Sequence, residues 1–348
     1  MKQFYLTIDY ELFLGDRTGS VQECMINPTY KLAEILAQNA SRMTVFWDIL
    51  HFQRCLFYVN QFSNLQSDIK LIKEQIIFLI LSGHDVQLHL HPHWLDAVYD
   101  GYKWNFSYEH FSLQSLNSND DINDIFSLRG CVHQAKELMK QIILPIKSNY
   151  EVTTFRAGGY MVEPFDKLFS VFKTENIKID SSVCPCMYHK STISPYDFRN
   201  YPKHQKYSFE NTPKQKSDTG RYLEYPIRTI YVPLPINIYF ILIRIFKYPN
   251  LEGTRKGSGV GTLSVTSPFL GKLLKKLNKL SPLNRKDRMF MLTTDGMFAE
   301  KFDYLYSRAK DNDVMILHPK LLNYHTMGIL VDKIKSNKLF CKSLSMEV

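Results

Sequence analysis

The chain has 348 residues, of which 45% are hydrophobic, and a formal net charge of +9 at pH 7. This size accommodates one large domain or two small ones, including a barrel of roughly 250 residues with insertions. The six cysteines show no framework spacing, which argues against a disulfide-stapled fold and predicts reduced thiols in a cytosolic protein.

The N-terminal part of the chain alternates between strand and helix patterns. Residues 3–8 form a short apolar strand that ends at Asp9, Tyr10 and Glu11. A helix pattern follows at 30–38, then a strand at 43–47, a helix at 68–81 and a strand that begins at 85. This order predicts parallel strands joined by crossover helices.

The third of these strands leads into four histidines within the twelve residues GHDVQLHLHPHW at 83–94. The strand pattern stops at Pro92, which cannot donate to a strand ladder. His89 and His93 are four apart, so a turn that begins after the strand would aim both imidazoles at one point. Imidazole is the commonest metal ligand among side chains, and two histidines with one carboxylate would leave a catalytic ion one open position. A histidine on a strand can equally be a core or surface residue, and that alternative stays open.

Polar residues also stand at the ends of the later strands. The strands predicted at 152–155, 177–179 and 314–317 lead to Arg156, Asp180 and His318, as the earlier ones lead to Asp9 and His89; the strand predicted at 289–293 ends at Asp295, to which we assign no role. In a parallel α/β barrel, catalytic groups come from the C-terminal ends of several strands. Structure alone does not readily explain such residues on successive strand ends, so the pattern predicts an active site there.

The regular pattern lapses at about 187–288, which we interpret as an excursion from a single domain that spans 1–348. Residues 222–225 and 229–232 could be paired strands, and 236–246 is almost wholly apolar. Residues 251–264 are rich in glycine, and 268–280 place leucines on one helix face and lysines on the other. The apolar segment is too short to span a bilayer, which needs about 20 residues.

The order and spacing of five motifs resemble the polysaccharide deacetylases with a NodB homology domain, carbohydrate esterase family 4. The motifs are Thr7-Ile8-Asp9, the H-x-x-x-H pair, Phe155-Arg156, Asp180 and Ile316-Leu317-His318. They lie within 1–185 and 289–320. The resemblance implies a distorted (β/α)7 barrel, a divalent metal that is usually zinc, and hydrolysis of an N-acetyl or O-acetyl group on a sugar.

The resemblance also implies a set of metal ligands. His89 and His93 match the family's histidine pair. The family often has a ligand aspartate immediately after the base, where this chain has Tyr10. Glu11, one residue further, would then be the third ligand.

Four residues receive catalytic roles from the same resemblance. Asp9 would be the general base, and Arg156 would orient it. His318 would be the general acid, and Asp180 would tune that histidine. Independently of the family, cleavage of an amide needs a polarised carbonyl, a base for the water and an acid for the leaving amine.

Two alternatives remain beside a deacetylase: a barrel that holds a sugar or metal as a scaffold, and a hydrolase of non-sugar amides on the same fold. The expected substrate is an acetylated sugar of a glycan or glycan precursor. The start of the chain lacks the pattern of a signal peptide, so we expect a cytoplasmic protein. Its basic charge and the segments 236–246 and 268–280 suggest contact with an anionic membrane surface at the inner face, and we expect no nucleic-acid partner.

Overall fold

The computed structural model describes residues 1–248, 257–258 and 288–344. Its strands are β1 (Lys2–Tyr10), β2 (Thr44–Asp48), β3 (Asp85–Leu90), β4 (Val98–Tyr99), β5 (Trp104–Asn105), β6 (Thr154–Ala157), β7 (Ile179–Asp180), β8 (Tyr188–His189), β9 (Tyr196–Asp197), β10 (Tyr207–Phe209), β11 (Tyr222–Glu224), β12 (Thr229–Tyr231), β13 (Met289–Met291), β14 (Asp313–Leu317) and β15 (Leu339–Lys342). Its helices are α1 (Asn27–Ala37), α2 (Ile49–Tyr58), α3 (Leu65–Leu81), α4 (Leu128–Ile143), α5 (Asp166–Thr174), α6 (Leu234–Phe246), α7 (Ala299–Arg308) and α8 (Tyr324–Lys335). The segments 251–264 and 268–280, singled out in the sequence, lie outside the described residues apart from 257–258.

The main sheet has the strand order β10-β11-β7-β6-β3-β2-β1-β14, and β15 also pairs with β1. Every pairing from β11 to β14 along this order is parallel, and only β10 is antiparallel to its neighbour. Crossover helices join most of the parallel strands, whereas β7 and β11 are connected through β8, β9 and β10 without a helix. The α/β class and parallel pairing predicted from the sequence are confirmed.

The sheet curls until its two ends meet. Ile227, just after β11, forms a parallel bridge with Val314 of β14. Arg228 N donates to the carbonyl oxygen of Val314 at 2.9 Å, and Ile227 N donates to that of Val183 at 2.8 Å. Seven strands, β1, β2, β3, β6, β7, β11 and β14, therefore surround a common axis in a distorted (β/α) barrel. The C-terminal ends of these strands lie together at one end of it.

The apolar residues explain this arrangement. β2 and β3 are buried along their whole lengths, and so is β1 from Phe4 onward, as expected for parallel strands covered on both faces. Helix α3 turns Ile72, Ile76 and Leu79 inward, and each is fully buried. This i, i+4, i+7 spacing is the helical pattern seen in the sequence.

The excursion contains more structure than its irregular sequence suggests. β11 and β12 do not pair with each other, so that expectation was wrong: β11 lies between β7 and β10, and β12 pairs with β13. The apolar segment 236–246 forms most of α6, which buries Phe240 but leaves Ile238 and Leu242 exposed. Within the described ranges, no helix combines the length and apolar character needed to cross a membrane.

Candidate metal and catalytic centre

Asp9 and Glu11 leave the end of β1 on the same side, and both are buried. Tyr10, between them, is directed elsewhere, and its hydroxyl donates to Oε1 of Gln75 at 2.7 Å. Successive side chains of a strand alternate between faces, so residues two apart share a face. Glu11, and not Tyr10, therefore stands beside Asp9.

Glu11, His89 and His91 form a buried group whose ligand atoms face one another. His91 Nε2 lies 2.7 Å from Glu11 Oε2 and 3.1 Å from His89 Nε2. His89 Nε2 lies 3.5 Å from Glu11 Oε2. Ligands at about 2.0–2.2 Å from a tetrahedral zinc ion are themselves roughly 3.3–3.6 Å apart, so the 3.5 Å separation already matches, while His91 would move away from Glu11 and His89 by a few tenths of an ångström. The three side chains therefore fit one divalent ion.

The hydrogen bonds around the group agree with this assignment. His89 Nδ1 lies 2.8 Å from the carbonyl oxygen of Arg156, which can only accept. Nδ1 must then carry the proton, and Nε2 presents its lone pair to the group, as metal-binding histidines usually do. Glu11 Oε2 is buried, and among the described residues its polar neighbours are the Nε2 atoms of His89 and His91, so a cation bound there would be shared by all three groups.

His93 does not join this group, which corrects the expected pairing of His89 with His93. β3 runs to Leu90 and the backbone stays extended through His91, so side chains two apart, not four, share a face. The 3-10 helix Pro92–Trp94 then carries the His93 ring into an aromatic cluster, 4.9 Å from Phe106 and 5.3 Å from Phe111. Neither ring nitrogen has a hydrogen-bond partner among the described residues. Burial, with His91 nearby, lowers the pKa of His93 well below its ordinary value, so the ring is neutral.

Asp48, at the end of β2, fixes the turn that follows β3. Its Oδ1 accepts from His91 N at 3.3 Å, and its Oδ2 accepts from Trp94 Nε1 at 2.7 Å. Burial raises the pKa of Asp48 to about 6. The carboxyl group thereby ties the second and third strands together beside the histidines.

Arg156 holds Asp9 in place at the centre of the barrel end. Its Nη1 donates to Asp9 Oδ1 at 2.6 Å and to Thr7 Oγ1 at 3.0 Å. Its Nε and Nη2 donate to the carbonyl oxygen and hydroxyl of Ser181 at 2.7 and 2.9 Å. Burial alone would raise the pKa of Asp9, but Arg156 and His318 outweigh it and lower the pKa below its ordinary value. The carboxylate is therefore ionised at neutral pH.

His318 faces Asp9 from the end of β14. Its Nε2 lies 3.5 Å from Asp9 Oδ2 and 4.0 Å from Glu11 Oε1. On its other side, Nδ1 lies 2.8 Å from Asp295 Oδ2, and Asp295 also accepts from the His318 backbone N–H. Burial opposes protonation, but Asp295 and Asp9 outweigh it and raise the pKa of His318 to about 10.

Asp180 makes no direct contact with His318 among the described residues, and the carboxylate beside that ring is Asp295. Asp180 accepts from Ser182 Oγ at 2.6 Å, and Ser182 Oγ accepts from Ala157 N at 2.8 Å. Asp180 also lies in register with Glu224 of β11 and is hydrogen-bonded to it. Burial raises the pKa of both carboxyl groups, so this pair retains a proton. Asp180 therefore supports the strand that carries Arg156.

Lys320 adds a cation to the centre. Its Nζ donates to Glu11 Oε1 at 2.7 Å and to the carbonyl oxygen of Leu12 at 2.8 Å. Burial alone would raise the pKa of Glu11, but Lys320 and His91 outweigh it and hold the pKa well below its ordinary value. Glu11 is thus an ionised carboxylate with one oxygen on Lys320 and the other in the metal group.

Sequence reasoning missed His91, Asp295 and Lys320 as site residues. Strand alternation from His89 could have indicated His91, and Asp295 already stood at a predicted strand end. Lys320 lies within the 3-10 helix Pro319–Leu321, and nothing in the local sequence pattern distinguishes it.

The chain matches no known family model and no curated protein sequence. Among solved structures it resembles a family 4 carbohydrate esterase from Streptomyces lividans in complex with acetate, at 9% identity and a TM-score of 0.40, covering 100% of this chain and 95% of that one. It also resembles a probable polysaccharide deacetylase from Pseudomonas aeruginosa PAO1, at 11% identity and a TM-score of 0.42, covering 99% and 88%. A third similar structure is Puue allantoinase, at 10% identity and a TM-score of 0.43, covering 99% and 88%.

Proposed function

We propose that this protein is a metal-dependent hydrolase that removes an acetyl group, in the first instance an N-acetyl group, from a sugar of a glycan or glycan precursor. The observation that carries the proposal is the position of the Asp9 carboxylate between two cations. Its Oδ1 lies 2.6 Å from Arg156 Nη1, and its Oδ2 lies 3.5 Å from His318 Nε2. An ionised carboxylate, a protonated imidazole and a group of metal ligands thus meet at one buried point. Amide hydrolysis needs these three components.

Glu11, His89 and His91 would hold the metal. A bound divalent ion would polarise the acetyl carbonyl and lower the pKa of a water molecule toward about 7. Zinc is the ion that two imidazoles and a carboxylate favour. Lys320 keeps Glu11 ionised, and the carbonyl oxygen of Arg156 fixes the tautomer of His89.

Asp9 and His318 divide the proton transfers. Asp9 is ionised beside Arg156 and can accept the proton of the attacking water. His318 is protonated between Asp295 and Asp9 and can give its proton to the departing amine. Asp295 fixes the ring so that Nε2, and not Nδ1, faces the reaction.

Acetate release tests the proposal. The purified protein would be stripped of metal, reloaded with Zn²⁺, and incubated with N-acetylglucosamine oligomers, O-acetylated xylan and simple N-acetyl amides. We expect acetate from the sugars only after reloading. Release from the simple amides alone would favour the non-sugar hydrolase, and sugar or metal binding with no release would favour the scaffold.

We also propose that helix α6 places the protein against an anionic membrane. Its side chains Ile238, Leu242 and Ile245 are 44, 48 and 51% exposed, while Phe240 packs on Phe298 and Tyr304. An apolar helix face with flanking cations can lie in the headgroup region, and the chain carries a net charge of +9. A substrate attached to an anionic lipid would be reached there.

A further inference from the structure

A separate cavity lies beside the start of β14, away from the catalytic centre. It has a volume of about 640 Å³, within the roughly 300–1,000 Å³ of ligand pockets. Asp313, the first residue of β14, lines this cavity, whereas His318 directly follows the last residue of the strand. A parallel strand rises about 3.3 Å per residue, so the two residues are roughly 16 Å apart. The cavity is therefore distinct from the centre proposed for hydrolysis.

Several cationic side chains line this cavity, which we call the basic cavity. Arg199 and Lys203 come from the segment between β9 and β10, and Arg228 comes from the segment between β11 and β12. The two arginines are paired with Asp197 and Asp313, and Lys203 is exposed and adds a further positive charge. The basic cavity is therefore suited to an anion.

The protein uses only part of the binding capacity of Arg228. Its Nε lies 3.2 Å from Asp313 Oδ2, yet this buried nitrogen has no well-aligned hydrogen-bond acceptor among the described residues. Gln205 Nε2 donates to the other oxygen of Asp313 at 2.8 Å, which fixes that carboxylate. The Arg228 side chain is 26% exposed, so its remaining N–H groups can reach a ligand in the cavity. The planar fork of a guanidinium group matches the oxygens of a phosphate.

The rest of the lining is largely apolar. It includes Pro226, Ile227, Tyr231 and Met289, the last two from the paired strands β12 and β13. Tyr231 is 39% exposed, and the guanidinium carbon of Arg288 lies 5.2 Å from the centroid of its ring. Such side chains can cover an aromatic ring or a hydrocarbon chain.

A phosphate monoester combines the two chemistries. It carries about −1.5 to −2 charges at pH 7, which suits Arg228 and Lys203, and its organic part would lie on the apolar lining. We propose that the basic cavity binds a phosphate monoester whose organic part is apolar or aromatic. Soluble esters and lipid head groups share this chemistry, and a lipid is within reach because α6 begins at Leu234, three residues after Tyr231. The inference does not depend on the proposed hydrolysis.

Calorimetric titration with phenyl phosphate tests the soluble source. The wild type would be compared with Arg228→Gln, Lys203→Gln and, as a control, Lys173→Gln, an exposed lysine in the last turn of α5. We expect Arg228→Gln to weaken binding roughly 10–100-fold, the worth of a hydrogen bond to a charged group. Lys203→Gln should weaken it roughly 2–5-fold, as for an exposed charge, and Lys173→Gln should not.

Two features keep this titration decisive. Lys203 is exposed, so Lys203→Gln should fold even if thermal melting shows that Arg228→Gln does not. Phosphate bound to a metal at the catalytic centre would not respond to either substitution. Inorganic phosphate should bind more weakly than phenyl phosphate, because it leaves the apolar lining uncovered.

Flotation with vesicles tests the lipid source. Vesicles that contain phosphatidic acid, a phosphate monoester, would be offered to the wild type and to the same variants. Weaker flotation of Arg228→Gln and Lys203→Gln would assign the cavity to a lipid head group. Unchanged flotation, with weakened binding of phenyl phosphate, would assign it to a soluble ester.

Two results would overturn the inference. The first is flotation that is equal in all four proteins, together with phenyl phosphate that either does not bind or binds all four equally. The second is equal affinity of the wild type for inorganic phosphate and phenyl phosphate, which would exclude a role of the apolar lining. Both leave the catalytic proposal intact.

Discussion

Arg156 donates to Asp9 at 2.6 Å at a point where their side chains are 0 and 3% exposed. A buried ion pair of this kind stabilises only when its remaining hydrogen-bonding groups are satisfied, and Arg156 meets that condition through Thr7 and Ser181. The pair fixes both the position and the charge of the proposed base.

Replacing Arg156 by lysine should therefore impair catalysis without removing the metal. Lysine keeps the charge but cannot make four directed hydrogen bonds at once. We expect kcat to fall roughly 10–100-fold, the usual cost of losing a positioning group. Stopped assays of acetate release with metal content measured in parallel would show this, and Arg308→Lys on α7 serves as an exposed control. Unchanged kcat in Arg156→Lys would contradict a positioning role.

The proposed metal ligands include His91 but not His93. His91→Ala should lower bound zinc to near that of His89→Ala, because each removes one ligand. His93→Ala should retain zinc, since its ring lies among Phe106 and Phe111. Mass spectrometry of the purified variants measures the difference. Loss of zinc from His93→Ala with retention in His91→Ala would refute the assignment, and thermal melting of each variant checks that it is folded.

The pH dependence of kcat should show the effect of Asp295 on the pKa of His318. His318 acts as an acid only while protonated, and its pKa is raised to about 10. Activity should therefore persist through neutral pH and fall as the pH rises through this value. In Asp295→Asn one of the two carboxylates that raise the pKa of His318 is gone, so the alkaline fall should move to lower pH. Asp218→Asn, which removes an exposed carboxylate, should leave the profile in place; an unshifted profile in Asp295→Asn would argue against the pairing.

The buried pair of Asp180 and Glu224 should make the free energy of unfolding depend on pH. Because their pKa values are raised in the folded state, the unfolded chain loses its protons first as the pH increases above about 4.3. Stability then falls with rising pH, by at most about 1.4 kcal/mol per pH unit for each proton. Glu224→Gln should reduce this fall between pH 5 and 8 in urea titrations, whereas exposed Glu109→Gln should not. If the free energy of unfolding of Glu224→Gln changed with pH as steeply as that of the wild type, a proton shared by Asp180 and Glu224 would be contradicted.

Membrane contact through α6 can be measured by vesicle flotation. The wild type should float with vesicles that contain phosphatidylserine and should dissociate as salt is added, because exposed charges are screened. Leu242→Asp combined with Ile245→Asp should abolish flotation, while Leu81→Asp, a 71% exposed leucine on α3, should not. No flotation of the wild type at low salt would refute the membrane proposal and leave the catalytic proposal untouched.

Much of the fold could be predicted from the sequence because parallel strands and crossover helices leave strong local patterns. The strand ending at Asp9 and the helix that buries Ile72 and Ile76 were placed closely. The partners of β11 and β12 could not be, since short strands carry little information about their neighbours. The barrel closes through backbone contacts that join 227–228 to Val314, with Leu292 hydrogen-bonded to both Arg228 and Ile316, and no local sequence pattern encodes these long-range contacts.

The sequence predicts the site only where the course of a strand determines which way its side chains point. Asp9, Arg156 and His318 stand at the C-terminal ends of buried strands, so their meeting could be expected. Whether His91 or His93 shares a face with His89 depends on whether the backbone stays extended after His89. It does so through His91, and the 3-10 helix begins only at Pro92. Asp295 took the place expected for Asp180 because the β13 segment packs beside β14, a long-range contact that no local pattern encodes.

The most direct test compares acetate release and zinc content in the wild type and Asp9→Asn. The amide keeps the size of Asp9 but cannot take a proton from water. We predict that the wild type releases acetate from N-acetylglucosamine oligomers with one zinc bound, and that Asp9→Asn retains the zinc but loses release by roughly 10²–10⁴-fold. Equal release by the two proteins would contradict the account.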